Sequence, residues 1–445
     1  MHATDIALRD ARRWLWLGVI ALAVAGVFAV ILVSARTPQL SVFKELFSVA
    51  LVVHVDLSVL LWFIAVAGMG WALLLPQPRY ASWRAAGFWT IAAATVLIAL
   101  SPMNSHWQVL KSNYIPVLNN LPFLLGLGLL AAGLIVSVAP VLLHYGRSTA
   151  RAAVPHDMRG FIYAAAAAAM ALLAFAFSAY LLPPDLGTQL RFETLFWAGG
   201  HILQVVYSLV MMAAWIALAE LVTGETLHRR IVQMAYGMAL LTAAAHLLGF
   251  ALYPFDSPEF IIYHTKVMIM LSGVGPTLLA ILVFARLWLA RRLLARATRV
   301  YSAALVSSLV VFAAGGMLGA MISGQNVTIP AHYHGAIVGV TLALMGLAYA
   351  MLPRFGYGSV AATRLAFWQP VVYAVGQLMH VGGLAYSGGY GVLRKTPGQS
   401  IELEPAVKAA LGFMGLGGLL AIVGGLLFVI VMLRALRRGI GAAAV

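Results

Sequence analysis

The sequence predicts an all-α polytopic membrane protein of about twelve transmembrane helices, with both termini in the cytoplasm. Three observations carry this. The 445 residues are 63% hydrophobic and only 9% charged, with a mean hydropathy of +0.96, unlike any soluble domain. Apolar runs of about 20 residues, the length that crosses a bilayer as a helix, repeat along the whole chain. Most of the 28 Lys and Arg fall on alternate connections, and such residues in short loops mark the cytoplasmic side.

The elements follow in order. The polar start MHATDIALRDARR precedes span 1, at roughly 14–35. No small-residue cleavage site follows span 1, so a signal peptide is not expected. Spans 2 and 3, at roughly 46–75 and 84–101, are joined by Arg79 and Arg84. Spans 4 and 5, at roughly 119–143 and 159–182, are joined by Arg147, Arg151 and Arg159. The Ala-rich stretch YAAAAAAMALLAFAF in span 5 is a helix-packing surface. Spans 6 and 7, at roughly 193–219 and 231–253, are joined by Arg229 and Arg230. Arg286, Arg291, Arg292, Arg296 and Arg299 connect span 8, at roughly 260–285, to span 9, at roughly 300–323. Arg354 and Arg364 connect span 10, at roughly 329–352, to span 11, at roughly 367–387. Span 12, at roughly 405–433, is followed by Arg434, Arg437 and Arg438. The connections are short, so residues 1–445 form a single domain. The net charge of +15 is a topology signal, and its scatter over separate segments does not suggest nucleic-acid binding. There is no Cys, which excludes disulfides, zinc–thiolate sites, iron–sulfur clusters and covalent c-type haem.

Six histidines share one depth. His54 and His201 each lie about eight residues into their spans, and His332, His334 and His264 lie just inside theirs. His246 sits a turn or two before the outer end of span 7. At ~1.5 Å per residue, all fall in the outer third to half of the bilayer. A lone intramembrane His is most often a hydrogen-bond partner between helices. Six at one level are different, because each is costly without a strong partner. A metal or haem centre supplies one. In IPAHYHG, His332 and His334 point about 200° apart on a helix, so they suit two irons on opposite faces. His54 can complete the axial pair of one of them. Iron closed by two imidazoles suits electron transfer, while iron held by one keeps a position open for chemistry.

HVDLSVLLWF in span 2, FETLFWAGGHILQVVY in span 6, HYHGAIVGVTLALMGLAYAMLPRFG in span 10 and GGYGVLRK after span 11 resemble subunit I of the haem–copper oxidase superfamily. That superfamily includes cytochrome c oxidases and nitric oxide reductases, and the resemblance covers nearly the whole chain. It implies that His54 and His334 are the axial pair of a non-covalent low-spin haem. It implies that His332 is the proximal ligand of a non-covalent high-spin haem, and that His201 and His246 bind a non-haem metal. Arg394 and Lys395 resemble the basic pair that bonds haem propionates, an apt role for two cations at a haem edge; a solvated loop is the alternative.

The chain departs from the family in two places. Span 7 commonly carries adjacent histidines, and here His246 is followed by Leu247. His264, at similar depth across a short loop, is the expected substitute; a structural His264 with a weakly held or absent metal is the alternative. Oxidases resembling this chain carry a tyrosine four residues after the span-6 His or in span 7. Position 205 is Val, and Tyr236 lies at the far end of span 7. Splitting O2 takes four electrons at once, and the tyrosine supplies one. Reducing two NO to N2O takes two, so the pattern leans to NO. Val205 also lacks the Glu of iron-containing NO reductases. Three imidazoles and no carboxylate favour copper. Glu193 is read as a propionate-region, proton-entry or interface residue, Asp56 as a neighbour of His54, and His380 as a packing or supporting residue.

The expected function is the catalytic subunit of a respiratory terminal reductase in the bacterial inner membrane. It reduces a diatomic gas, NO to N2O, with O2 as the rival substrate. Electrons are expected from a partner subunit or a soluble cytochrome or cupredoxin, since the chain has no Cys and no extramembrane domain. Rivals of another class are a proton-coupled transporter, which broken helices and mid-membrane acids would favour, and a haem carrier or gas sensor with no non-haem metal.

Overall fold

In a bilayer a backbone must satisfy its own hydrogen bonds, so apolar spans become helices. The computed structural model describes residues 3–36, 45–104, 108–146, 151, 153–291, 296–324, 326–390 and 404–437. Among these lie α1 (Ala3–Arg36), α2 (Phe47–Leu74), α3 (Pro78–Met103), α4 (Leu121–Tyr145), α5 (His156–Leu181) and α6 (Thr188–Thr223). They continue with α7 (Arg229–Leu252), α8 (Pro258–Ala290), α9 (Arg299–Ala320), α10 (Thr328–Met351), α11 (Arg364–Gly389) and α12 (Pro405–Arg437). All but α11 are both long and apolar enough to cross a membrane. At 26 residues α11 has the length, and Gln369, Gln377 and His380 lower its hydropathy. The all-α polytopic architecture expected from the sequence is therefore present.

Caps and breaks follow local chemistry. Asn120 caps α4 by accepting from the Phe123 amide, with Pro122 in the first turn. Ser257 does the same for α8 through the Phe260 amide, with Pro258 at the first position. α8 is interrupted at Ser272 and Gly273, between Pro258–Leu271 and Val274–Ala290. Pro276 cannot donate to the Ser272 carbonyl, which explains the break. α2 contains one π-helical turn, Asp56–Leu61.

The chain divides into two compact units. The first comprises residues 1–21, 55–217 and 226–285. In it α1 and α2 interlock through two tryptophans and two glycines. A Cβ on Gly68 would lie 2.6 Å from the Trp14 ring, and one on Gly18 would lie 2.6 Å from the Trp62 ring. α1 begins at Ala3, well before the expected residue 14, and so carries Asp10 in helix. Asp10 accepts from Arg84 Nε at 2.9 Å, with both side chains buried. Arg84 Nη1 also donates to the carbonyls of Leu75, at 2.5 Å, and Gln77, at 3.3 Å, where α2 ends. Replacing Arg84 with Leu should cost about 3–5 kcal/mol, because it leaves a buried carboxylate with only the half-exposed Arg13. A thermal midpoint of the solubilised protein equal to wild type would contradict this. Between α3 and α4 the chain forms a short antiparallel hairpin, β1 (Val109–Leu110) with β2 (Val117–Leu118).

The second unit comprises residues 22–54, 218–225 and 286–445. Its helices approach closely through small residues. A Cβ on Gly376 or Gly383 of α11 would lie 2.5 Å from α12 backbone at Ala421 or Ala410. Gly417 and Gly424 of α12 face His380 and Tyr373 of α11 in the same way. On α9 and α10, Gly315 meets Gly335 and Ala336, and Gly339 meets Phe312. A polar network is buried here: Tyr349 donates to Gln369 Oε1 at 3.0 Å, and Gln369 Nε2 donates to the Gly424 carbonyl at 3.2 Å.

Candidate metal and haem sites

Four of the expected ligands share one hydrogen-bond pattern. His54 Nδ1 lies 2.9 Å from the Ala25 carbonyl, and His201 Nδ1 lies 2.7 Å from that of Trp197. His332 Nδ1 lies 2.8 Å from the Gly315 carbonyl, and His334 Nδ1 lies 2.7 Å from that of Pro330. A carbonyl only accepts, so each Nδ1 carries the proton and each Nε2 carries the lone pair. A ring nitrogen hydrogen-bonded to carbonyl oxygen is the usual support for an imidazole that ligates a metal through its other nitrogen.

In the second unit, His332 and His334 leave α10 toward different neighbours. His332 sits against α9, where a Cβ on Gly319 would lie 2.6 Å from its Nδ1. His334 has its ring centre 5.1 Å from that of His380 on α11. His380 Nδ1 in turn donates to the Met414 carbonyl of α12 at 3.1 Å. The two histidines thus have different neighbours, His332 at α9 and His334 beside His380 on α11. Gly319→Val should push His332 from its seat and remove most of the high-spin haem; an unchanged haem spectrum would contradict the assignment. Arg394 and Lys395 lie outside the described residues.

In the first unit, His201 on α6, His246 on α7 and His264 on α8 form one cluster. Their ring centres are 4.9 Å apart for His201 and His246, 5.8 Å for His201 and His264, and 5.1 Å for His246 and His264. All three are at most 1% exposed. His246 and His264 stack within 8° of parallel, with their Nδ1 atoms 2.8 Å apart. Two lone pairs cannot face each other at that distance, so one Nδ1 donates to the other. Gly249, one turn after His246, gives α8 its approach: a Cβ there would lie 2.9 Å from His264 Nε2.

The donor set fits a metal. Imidazoles about 2.0–2.1 Å from one cation place their ring centres roughly 5 Å apart, which is the spacing found. The Nε2 atoms of His246 and His264 are buried without hydrogen-bond partners, a state that costs about 1–3 kcal/mol per atom; the ring that donates through Nδ1 has its lone pair on Nε2, and a cation would relieve it. The nitrogens do not yet converge as a closed cage of three among the described residues. The reason is visible: His246 and His264 bond each other, and His201 Nε2 accepts from the hydroxyl of Tyr114 at 2.6 Å.

Tyr114 is the residue that sequence reading missed. It lies on the hairpin between α3 and α4 and packs on one face of α6. Asn113 donates from its amide to Glu193 Oε2 at 3.0 Å and from its side chain to Glu193 Oε1. The Lys111 amide donates to Gln189 Oε1 at 3.2 Å. Glu193, read from the sequence as a propionate, proton-entry or interface residue, thus anchors this hairpin. Gln189, Glu193, Trp197 and His201 recur every four residues, a helical stripe that was the available signal. Burial, and then the Glu193 charge, raise the Tyr114 hydroxyl above the ordinary phenol range, so it is the donor to His201. Asp56, in the π-helical turn two residues after His54, is 1% exposed with neither carboxylate oxygen partnered.

The family profile "Cytochrome C and Quinol oxidase polypeptide I" matches residues 10–430. The chain belongs to the haem–copper oxidase subunit I superfamily. It is therefore a multi-pass membrane protein of a respiratory oxidoreductase family whose chains bind haems and a further metal centre. Relatives include "Uncharacterized protein RP382" of Rickettsia prowazekii, 29% identical over 96% of both chains. An "Uncharacterized protein" of Aquifex aeolicus is 25% identical over 77% of this chain and 85% of its own. Among solved structures, a dimeric haem–copper terminal oxidase superposes with a TM-score of 0.75 at 16% identity, covering 97% of this chain and 84% of that one. That likeness is one of fold.

Proposed function

We propose that this subunit I homologue is the catalytic subunit of a respiratory reductase of diatomic gas, converting NO to N2O. His54 and His334 hold a low-spin haem, His332 holds a high-spin haem, and His201, His246 and His264 hold copper. Arg394 and Lys395 pair with haem propionates. The observation that carries this reading is the buried three-histidine cluster, with two unpartnered Nε2 atoms, in a chain of the haem–copper superfamily. The catalytic unit is one domain over residues 1–445 in a bacterial inner membrane, with both termini cytoplasmic. Electrons come from a partner subunit or a soluble cytochrome or cupredoxin.

When bound, the haems store electrons and the copper offers an open position to the gas. The chain's own residues set the geometry. The Gly315 and Pro330 carbonyls hold the His332 and His334 rings by their Nδ1 protons, leaving Nε2 as donor to iron. The Trp197 carbonyl does the same for His201. When both bind metal, His246 and His264 give up their mutual hydrogen bond, and each ring keeps one N–H on the nitrogen that does not ligate. The apolar surroundings of the cluster, including Phe260 with its ring 4.4 Å from that of His264, exclude bulk water.

Two NO take two electrons and two protons to give N2O and water, whereas O2 takes four of each. Reduction of O2 is the second reading, favoured by the Tyr114 hydroxyl at His201, a phenol able to supply an electron and a proton. The test is turnover by the purified protein with an artificial electron donor, comparing the two gases. Faster consumption of NO, with N2O formed, supports the first reading. Water formation from O2 with no N2O from NO supports the second and overturns the first.

A further inference from the structure

The geometry points to Tyr114 as a fourth, oxygen ligand of the non-haem metal. The inference rests on the reading above, in which His201, His246 and His264 bind that metal. His201 Nδ1 faces the Trp197 carbonyl at 2.7 Å, so Nε2 is the nitrogen able to ligate. Tyr114 Oη lies 2.6 Å from that same nitrogen. One lone pair cannot serve a hydrogen bond and a metal together. When metal takes Nε2, the phenol must either leave or bind the metal beside it.

The surroundings oppose its leaving. The ring is tilted against His201 with centres 4.5 Å apart and stands edge-on to Trp197 at 5.7 Å. It fills the space above Gly200, where a Cβ would overlap it. The backbone on one side is bonded to Glu193 and Gln189. On the other side the Ile115 carbonyl accepts from Ser112 Oγ, and the strand pair closes the hairpin at Val109 with Leu118. The Asn113 and Lys111 anchors are both on α6, the helix that carries His201. The phenol oxygen is thus held, at 2.6 Å from Nε2, within about half an ångström of the distance two donors keep when they share one metal. Two atoms each about 2.0–2.1 Å from a cation are roughly 3 Å apart. Coordination replaces the O–H bond with an O–metal bond and releases one proton to solvent; no electron is transferred. The oxygen donor also stabilises the oxidised metal over the reduced one, since harder ligands favour the higher charge.

The test uses the purified, full-length, oxidised protein. Metal content is measured together with resonance Raman excited in the visible charge-transfer region. The parent is expected to show tyrosinate vibrations enhanced through a phenolate-to-metal band. Tyr114→Phe, which keeps the ring above Gly200, should lose that band and retain both haems. It should also lose metal to a chelator at about tenfold lower chelator concentration, or lower still, the scale on which outer-sphere changes already act. The parent spectrum decides the matter even if the variant fails to assemble. Metal present with no tyrosinate enhancement, or a variant with unchanged band and metal retention, overturns this proposal alone. A parent that contains no non-haem metal overturns the three-histidine reading together with it.

Discussion

Replacing His54 with Ala should abolish the low-spin haem spectrum and leave the high-spin haem in place, and replacing His332 with Ala should do the reverse. The separation rests on α10. His332 is held at α9 by the Gly315 carbonyl and the bare Cα of Gly319, while His334 faces His380 on α11. Each histidine therefore belongs to a different packing environment, and losing one need not disturb the other. The effect is the removal of a whole prosthetic group. Loss of both haems from a folded His54→Ala protein, seen by optical spectroscopy of the purified variant, would argue against the assignment.

The second large effect is at His264. His264→Ala should lower non-haem metal content by about tenfold or more and abolish gas turnover, with both haems retained. Losing a direct ligand should exceed the 10- to 100-fold changes in affinity produced by supporting residues. In the proposed site His264 takes the place of the span-7 histidine missing at Leu247, and its ring lies parallel to that of His246 with the Nδ1 atoms 2.8 Å apart. A variant with full copper and full activity would make His264 structural.

Much of this was legible in the sequence because bilayer physics leaves few choices. Apolar runs of about 20 residues can only be helices, and their order follows from short connections. The histidines were legible because imidazoles stand out in a chain with so little polarity. Their pairing was partly legible too: residues two apart on α10 must diverge, and His332 and His334 do. The ends of helices were less so. Nothing in the polar start of the chain showed that α1 reaches back to Ala3, because the reason is a partner far away, the Arg84 that pairs with Asp10. The interlock of Trp14 with Gly68 has the same character.

Tyr114 was hidden for a different reason. Its hairpin strands are two residues each, too short to leave a period in the sequence. The decisive contact joins it to a histidine 87 positions away. Only the α6 stripe from Gln189 to His201 hinted that something packs there, and a stripe does not name its partner. The missing tyrosine at Val205 thus misled in one respect: a phenol does stand beside His201, delivered from outside α6 and α7.

The central claim is that one chain holds two haems and one non-haem metal. Haem and metal should be counted on the same purified sample, by pyridine haemochrome assay and by elemental mass spectrometry. Two non-covalent haems and one copper per chain are expected. A single haem, or two haems with no non-haem metal, would contradict the account and leave a haem carrier or sensor in place of a catalyst.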